Sequence, residues 1–317
     1  MADAVSVHQK STVRILSHSS ERQTLACYTH CLRRLIINAD DFGFTSGVNR
    51  AIVEAHTHGV VTSSTLMANG ARFAEAVQMV SGAPQLSVGC HVVLIDGEPV
   101  LRSEKIPTLT KSGRFRDSLK MFAARAISGR IDTGEVVGET FAQIRKIQSA
   151  GITVSHVDTH KHTHLFPRIL RPLLLAAKAA GVKAVRNPFG PRLPLRSSQL
   201  LARPNLWTRI AEVKVLRRFA GSFREAVDRE GFRTPDGTLG IEVTGTLDET
   251  LFQAIARNIP DGTWEFVCHP GYNDADLKSA KTRLRESREI ELHVLTLPAA
   301  REILAAEGVE LISYREL

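Results

Sequence analysis

Four places in the sequence gather side chains that a folding core does not need. The first is Asn38-Ala39-Asp40-Asp41-Phe42-Gly43, which closes the apolar run Leu35-Ile36-Ile37. Adjacent carboxylates oppose one another when buried, and a cation resolves that conflict. One can then bind a metal while its neighbour accepts a proton. Taken alone, the same residues also spell a turn, with an Asp capping the next helix and Gly43 allowing a tight bend. The second place is Val88-Gly89-Cys90-His91; a lone histidine there is more often a satisfied polar residue than a ligand. The third runs from Ser155 to His164 and packs four of the chain's 12 histidines into nine residues, with Asp158 among them. His156, Asp158, His160, His162 and His164 share one parity, so an extended backbone presents them as one ligand-rich stripe. Such a stripe is expensive to leave unpaired, which makes it the most specific of the four signals. Members that are not ligands would orient the ligands, hold tautomers or meet substrate. The fourth is Glu265-Phe266-Val267-Cys268-His269-Pro270-Gly271-Tyr272, where Pro270 stops regular strand pairing just after His269.

A pocket built from Asp40, Asp41, His91, His160 and His269 would hold one Asp and two His around a divalent ion, with positions left for water and substrate. Zinc suits the nitrogen content; magnesium prefers oxygen ligands. Those groups must therefore come from the ends of several strands. After Arg33 the chain alternates short β-like runs with longer helical patterns. Strands are expected at 34–38, 61–67, 86–91, 153–158, 182–186, 239–243, 264–268 and 309–313. Helices are expected at 48–58, 71–80, 135–149, 168–180, 206–228, 248–257, 281–292 and 299–307. Repeated strand–helix–strand units imply parallel pairing with crossovers. The pattern predicts an α/β fold, a (β/α) TIM-like barrel that is distorted or has seven main strands, whose catalytic groups lie at the strands' C-terminal ends. A Gly-x-Gly-x-x-Gly turn after the first strand is missing, which disfavours an open dinucleotide-binding sheet. The domain reading is a poorly ordered extension at 1–32 and one catalytic domain at 33–317, with insertions near 96–115 and 187–237.

Composition bounds the rest. The 317 residues carry 41 Lys/Arg against 33 Asp/Glu, for a net charge of +8. The excess is local: residues 178–233 hold 13 Lys/Arg and four Asp/Glu, while the remainder is near neutral. With 6% aromatic residues and no recognisable module, this block lacks the stacking pattern of a nucleic-acid platform. Between Leu206 and Phe219, basic residues alternate with apolar ones. That mixture suits either a barrel helix or peripheral contact with an anionic membrane surface. Four scattered cysteines make no disulfide framework. No apolar run reaches the roughly 18 residues of a spanning helix, and a signal peptide is not evident. A cytoplasmic protein, at most peripheral at the inner membrane face, is the expectation.

The four segments, with Val61-Thr62-Ser63 and Gly89-Cys90-His91 in the same order, resemble the YdjC-like carbohydrate deacetylases over nearly everything after Arg33. That group includes the chitooligosaccharide deacetylases. Gly43-Phe44-Thr45-Ser46-Gly47-Val48-Asn49, Asp158-Thr159-His160-Lys161-His162-Thr163-His164 and Gly245-Thr246-Leu247-Asp248 look closest to the hopanoid-biosynthesis-associated branch (HpnK). The resemblance implies a (β/α)-barrel and metal-dependent removal of acetyl from an N-acetylated amino sugar. It puts the metal, magnesium by the family's habit, on Asp41, His91 and His160. It makes Asp40 the general base and His269, as imidazolium, the donor to the leaving amine. Asn38, His156, Asp158, His162, His164, Arg186 and Tyr272 are then candidates for contact with substrate or with the ligands. In the hopanoid branch the implied substrate is lipid-linked, an N-acetylglucosaminyl hopanoid. The resemblance is compatible with a homodimer. Competing readings are a deacetylase of soluble chitooligosaccharides, a metal-dependent phosphoesterase, and a non-enzymatic metal- or sugar-binding protein.

Overall fold

The computed structural model describes residues 32–191, 207, 210, 213–214 and 216–317. The expected extension at 1–32 therefore falls, but for Leu32, outside the described residues, as do residues 206, 208, 209, 211, 212 and 215 of the helix expected at 206–228; its later part is present as a 3₁₀ turn over Arg217–Phe219 and a helix over Ala220–Glu230. The chain opens with β1 (Arg33–Phe42), α1 (Ser46–Thr57), β2 (Ser63–Leu66), α2 (Phe73–Ser81) and β3 (Ser87–Val92). A small hairpin, β4 (Thr110–Lys111) and β5 (Arg114–Phe115), precedes α3 (Leu119–Ile127), α4 (Thr133–Ser149), β6 (Val157–Thr159) and α5 (Pro167–Ala179). Then come α6 (Ala220–Glu230), β7 (Gly237–Leu239), α7 (Glu249–Ala256), β8 (Gly262–Cys268), α8 (Ala275–Ser279), α9 (Glu286–Thr296), α10 (Pro298–Ala306) and β9 (Val309–Ile312).

Seven strands form one curled parallel sheet in the order β6-β3-β2-β1-β8-β7, with β9 also paired to β1. β9 takes one edge of β1 at Arg33–Ile36 and β2 takes the same edge further on, from Asn38, while β8 runs along the other. Between β6 and β7 the sheet continues, among the described residues, as single bridges, Val157 to Val185 and Ala184 to Arg233. The α/β fold expected from sequence is thus present as a distorted, partly open barrel. The strand expected at 182–186 survives as those bridges.

Period-two alternation divides each strand between two environments. On β1, Leu35, Ile37 and Ala39 join the main hydrophobic core under the helices. Ile36 instead packs inside the curl with Ala184, Ile312 and Tyr314, and Asn38 and Asp40 lie above it on the same inner face. The helices supply the other wall: α1 buries Val48, Ala51, Ile52 and Ala55 along one stripe, and burying Ile52 alone is worth about 2–3 kcal/mol. Thr45 starts that helix by accepting the Val48 N–H. The apolar core therefore sits between sheet and helices, and the inside of the curl is free to be polar.

Three expected elements differ. The strand expected at 239–243 is Gly237–Leu239, after which the chain turns. The helix expected at 281–292 starts later and runs on to Thr296 as α9, with the separate short α8 at Ala275–Ser279 before it. The insertion near 96–115 is tied to α4. Buried Glu139 of α4 accepts the backbone N–H groups of Val100 and Leu101 at 2.8 and 2.9 Å, and Glu135 accepts those of Thr108 and Leu109. Among the described residues, no helix is long and apolar enough to cross a membrane.

Candidate active site

The polar inner face rises through the curl and ends in a cluster at the C-terminal ends of the strands. By strand alternation Asp40 points inward and Asp41 should point out. The chain overrides this: Asp41 takes a left-handed φ of 70°, and the β1–β2 register shifts between Ala39 and Phe42. This bulge turns both carboxylates into one pocket, where they are 2% and 5% exposed. Gly43, at φ 88°, completes the turn, and Asn49 Oδ1 accepts its N–H at 2.7 Å.

Asp41 meets His91 from β3 and His160 from the turn after β6. Asp41 Oδ1 lies 3.5 Å from His91 Nε2 and 3.4 Å from His160 Nδ1, and the two nitrogens are 3.3 Å apart. Ligand atoms about 2.1 Å from a small divalent ion are separated by roughly 3.0–3.4 Å, so the triangle is the face such an ion would bind. His91 Nδ1 is 2.8 Å from Asp158 Oδ1, which fixes the ring with Nε2 toward Asp41. Burial alone would lower the pKa of His91, but the carboxylates of Asp158, Asp40 and Asp41 raise it to about 9. The field at Nε2 favours a positive charge. The residues therefore fit a divalent metal ion.

Arg288 of α9 pairs with the far oxygen of Asp41, Oδ2. Burial pushes the Asp41 carboxyl up, yet Arg288, His160 and His91 hold it well below the ordinary range. Oδ1 is thus left for the two histidines.

Asp40 is held by different partners. Fully buried Arg186 grips both its oxygens, Nη2 to Oδ1 at 2.7 Å and Nη1 to Oδ2 at 2.8 Å. Oδ1 also accepts from Asn38 Nδ2 at 2.9 Å and Thr65 Oγ1 at 3.1 Å. Oδ2 has no further donor within bonding distance and lies 3.9 Å from His269 Nε2. Burial would raise the Asp40 carboxyl, but Arg186, His91 and His269 drive it far below its usual value. It is ionised at any working pH. Arg186 also pairs with Asp158 and, through Nε at 2.9 Å, with Glu265. The remaining oxygen of Glu265 is held by Tyr314 Oη at 2.6 Å. A second Asp/His grouping, Asp40, His91 and Asp158, has its carboxylates filled by this guanidinium.

Not every expected residue joins the cluster as expected. The histidine stripe ends at Thr159, because Lys161 and His162 adopt φ of 57° and 52° and the chain enters a 3₁₀ turn over His160–Leu165. His164 turns inward as a structural residue: Nδ1 is 2.7 Å from Thr159 Oγ1 and Nε2 is 3.2 Å from the Arg186 carbonyl. Burial, with Arg186 nearby, takes its pKa down to about 3. His156 lies two residues below Asp158, stacked on Tyr314 with ring centres 3.5 Å apart. Its ring needs Gly89, where a Cβ would come within 2.4 Å of it. His162 is half-buried beside His164, with Nδ1 lacking a partner. Arg186, a candidate for substrate contact, is sealed among carboxylates. Tyr272 points away, its hydroxyl on Glu54 of α1.

His269 stands at the pocket wall, 9% exposed. Burial outweighs the pull of Asp40 and Asp41 and lowers its pKa to about 4. The expected imidazolium is therefore a neutral ring near pH 7. Its backbone N–H donates to Glu291 Oε2 at 2.5 Å. Thr65, Glu265, Arg288 and Glu291 are site residues that sequence reading missed. Glu265 carried a signal, a lone acid inside the apolar run Trp264–Cys268. Arg288 and Glu291 carried little, because Arg285-Glu286-Ser287-Arg288-Glu289-Ile290-Glu291 reads as a solvated helix face.

The sequence profile described as YdjC-like protein matches residues 34–306 of the chain. A carbohydrate deacetylase from Geobacillus stearothermophilus is 33% identical over 287 residues, covering 90% of this chain and 98% of the relative. A chitooligosaccharide deacetylase from Proteus mirabilis is 30% identical, covering 89% and 98%. Among solved structures, an Enterococcus faecalis V583 protein named for cellobiose-phosphate cleavage superposes with a TM-score of 0.72 at 26% identity. That match covers 90% of this chain and 98% of its own.

Proposed function

Because the chain belongs to the YdjC-like family, we propose that it is a carbohydrate N-deacetylase that hydrolyses the acetamide of an N-acetylated amino sugar with the help of one divalent metal ion. The observation that carries this is the Asp41–His91–His160 triangle, with its 3.3–3.5 Å sides, beside the ionised carboxylate of Asp40. What a divalent ion contributes when held by those three residues is Lewis acidity toward the amide carbonyl and the attacking water. Magnesium is the family's habit, and zinc matches the two nitrogens.

The chain's own residues do the rest. Arg186, Asn38 and Thr65 occupy Asp40 so that Oδ2 is the oxygen left to take the proton of the attacking water. Asp40 is a weak base in that grip, and it serves because the attack is on an activated carbonyl. Asp158 fixes the His91 ring, and Arg288 fixes Asp41. His269 faces Asp40 across the pocket, where the leaving nitrogen must receive a proton. The reading takes residues 33–317 as one catalytic domain.

Within the family we assign the chain to the hopanoid-associated branch, on the segments from Gly43 to Asn49 and Asp158 to His164. The substrate is then an N-acetylglucosaminyl hopanoid, converted to the free amine and acetate, and the enzyme works at an anionic membrane surface. Of the basic residues expected to make that contact, Lys214, Arg217, Arg218 and Arg224 lie within the described residues and Arg209 lies outside them. A second reading, soluble chitooligosaccharides, is favoured by the name of the Proteus relative. Incubation with N-acetylglucosaminyl hopanoid and, separately, with diacetylchitobiose, read by mass spectrometry, separates the two. Turnover of the sugar oligomer alone removes the hopanoid assignment and leaves the deacetylase.

A further inference from the structure

A neutral His269 leaves the leaving amine without an obvious proton source, and the structure offers one behind the ring. His269 Nδ1 is buried without a hydrogen-bond partner, and the nearest ionisable oxygen is Glu291 Oε2, at 3.8 Å. Glu291 is 1% exposed. Its two oxygens are anchored by backbone N–H groups, Gly245 on Oε1 at 3.3 Å and His269 on Oε2 at 2.5 Å. On the opposite side of the imidazole, Nε2 lies 3.9 Å from Asp40 Oδ2. Asp40, His269 and Glu291 thus form a line through the pocket wall, with the imidazole in the middle.

We propose that Glu291 is the proton reservoir of the site, and that it delivers its proton to the leaving amine through His269. The assignment rests on the deacetylase reading. In the forward step the Glu291 carboxyl proton passes to His269 Nδ1 as the Nε2 proton passes to the sugar nitrogen, and the amide C–N bond breaks. Glu291 ends as a carboxylate and His269 as the neutral Nδ1–H tautomer. The proton that Asp40 took from water then returns along the same line, from Oδ2 to Nε2, with Nδ1–H going back to Glu291. The cycle closes with amine and acetic acid as products and no external acid consumed.

The surroundings suit this. Burial raises Glu291 to about 7 against the opposing effects of the His269 and Gly245 N–H groups and Arg288, with Asp40 adding to the rise. At His269 burial outweighs the pull of Asp40 and Asp41, and Arg288 and Arg186 lower its pKa further. The single proton of the pair therefore rests on Glu291 below neutrality and is lost above it.

The test is the pH–rate profile of E291Q, E291D and wild type on an N-acetylated amino sugar, with metal content and Tm measured on each. Gln can accept one of the two backbone N–H bonds but cannot deliver a proton. E291Q should keep its metal and KM and lose about 100-fold in kcat. It should also lose the decline in rate above about pH 7, and E291D should restore part of both. An E291Q enzyme with wild-type kcat and the same alkaline decline overturns the assignment. Should E291Q fail to fold, ring-nitrogen NMR of wild-type His269 decides. Both nitrogens should respond to a titration near pH 7, and a ring unresponsive between about pH 6 and 8 overturns it. A wild type that releases no acetate defeats the deacetylase reading instead, while the NMR titration still tests the pair.

Discussion

Asp40 and Asp41 are neighbours in sequence with separate partners, and the separation is electrostatic. Arg186 claims Asp40; Arg288 and two histidines claim Asp41. Replacing Asp40 by Asn should lower kcat by about 10²–10⁴-fold and spare the metal. Replacing His91 or His160 by Ala should lose the metal as well, and elemental analysis of the purified variants reads the difference. Equal metal in all three would contradict the ligand assignment. Arg186→Met should be costly in another way. It strands Asp40, Asp158 and Glu265 as buried carboxylates, a loss of about 3–5 kcal/mol or more in urea unfolding. The acids and histidines were legible in the sequence because they end apolar runs. Arg288 and Glu291 were not, since nothing local distinguishes a buried charge on a helix from a solvated one.

At the scale of elements, helices such as α1, α4 and α5 follow their apolar periodicity and differ from the sequence reading by a residue or two. The irregular pieces were harder. The β1 bulge rests on Asp41 adopting a conformation that most residues avoid, and periodicity has no symbol for that. The strand expected at 153–158 starts late, as Val157–Thr159, and just beyond it Lys161 and His162 turn left-handed, so the shared parity of His156 to His164 does not place them all on one face. Glu135 and Glu139 of α4 hold the insertion near 96–115 through its backbone N–H groups. Glu139→Ala should leave the Val100 and Leu101 N–H groups unpaired, costing about 1–3 kcal/mol. Limited proteolysis should then open the chain between residues 97 and 117 faster than in wild type, and an unchanged cleavage rate would show that Glu139 does not anchor it.

Across the molecule, the inside of the curl is polar while the core lies outside it. Alternation along each strand encodes this directly: Ile36, Asn38 and Asp40 inward, Leu35, Ile37 and Ala39 outward. The closure between β6 and β7 was legible as a strand at 182–186, though the structure keeps it only as isolated bridges at Ala184 and Val185. A polar interior makes the fold sensitive to acid. His156 and His162 are held well below the ordinary histidine pKa and His164 down to about 3, chiefly by burial, so all three are neutral when folded. In the unfolded chain each protonates near 6.5. Below that pH the unfolded state binds the extra protons, so stability present above 6.5 is lost as pH falls toward 3, by up to about 1.4 kcal/mol per pH unit per histidine. Urea unfolding between pH 7 and 4 should show this decline, and His164→Asn should reduce its slope by about one proton. A stability independent of pH across that range would contradict the neutral assignment.

The central claim, that Asp41, His91 and His160 arm Asp40 for hydrolysis of an N-acetylated amino sugar, is tested most directly by mass spectrometry of the products. The purified protein would be incubated with N-acetylglucosaminyl hopanoid or diacetylchitobiose, before and after chelation and after metal is restored. The account predicts free amine and acetate from at least one substrate, abolished by the chelator and recovered with the ion. Intact substrate in every metal-loaded reaction, or turnover indifferent to chelation, would contradict it.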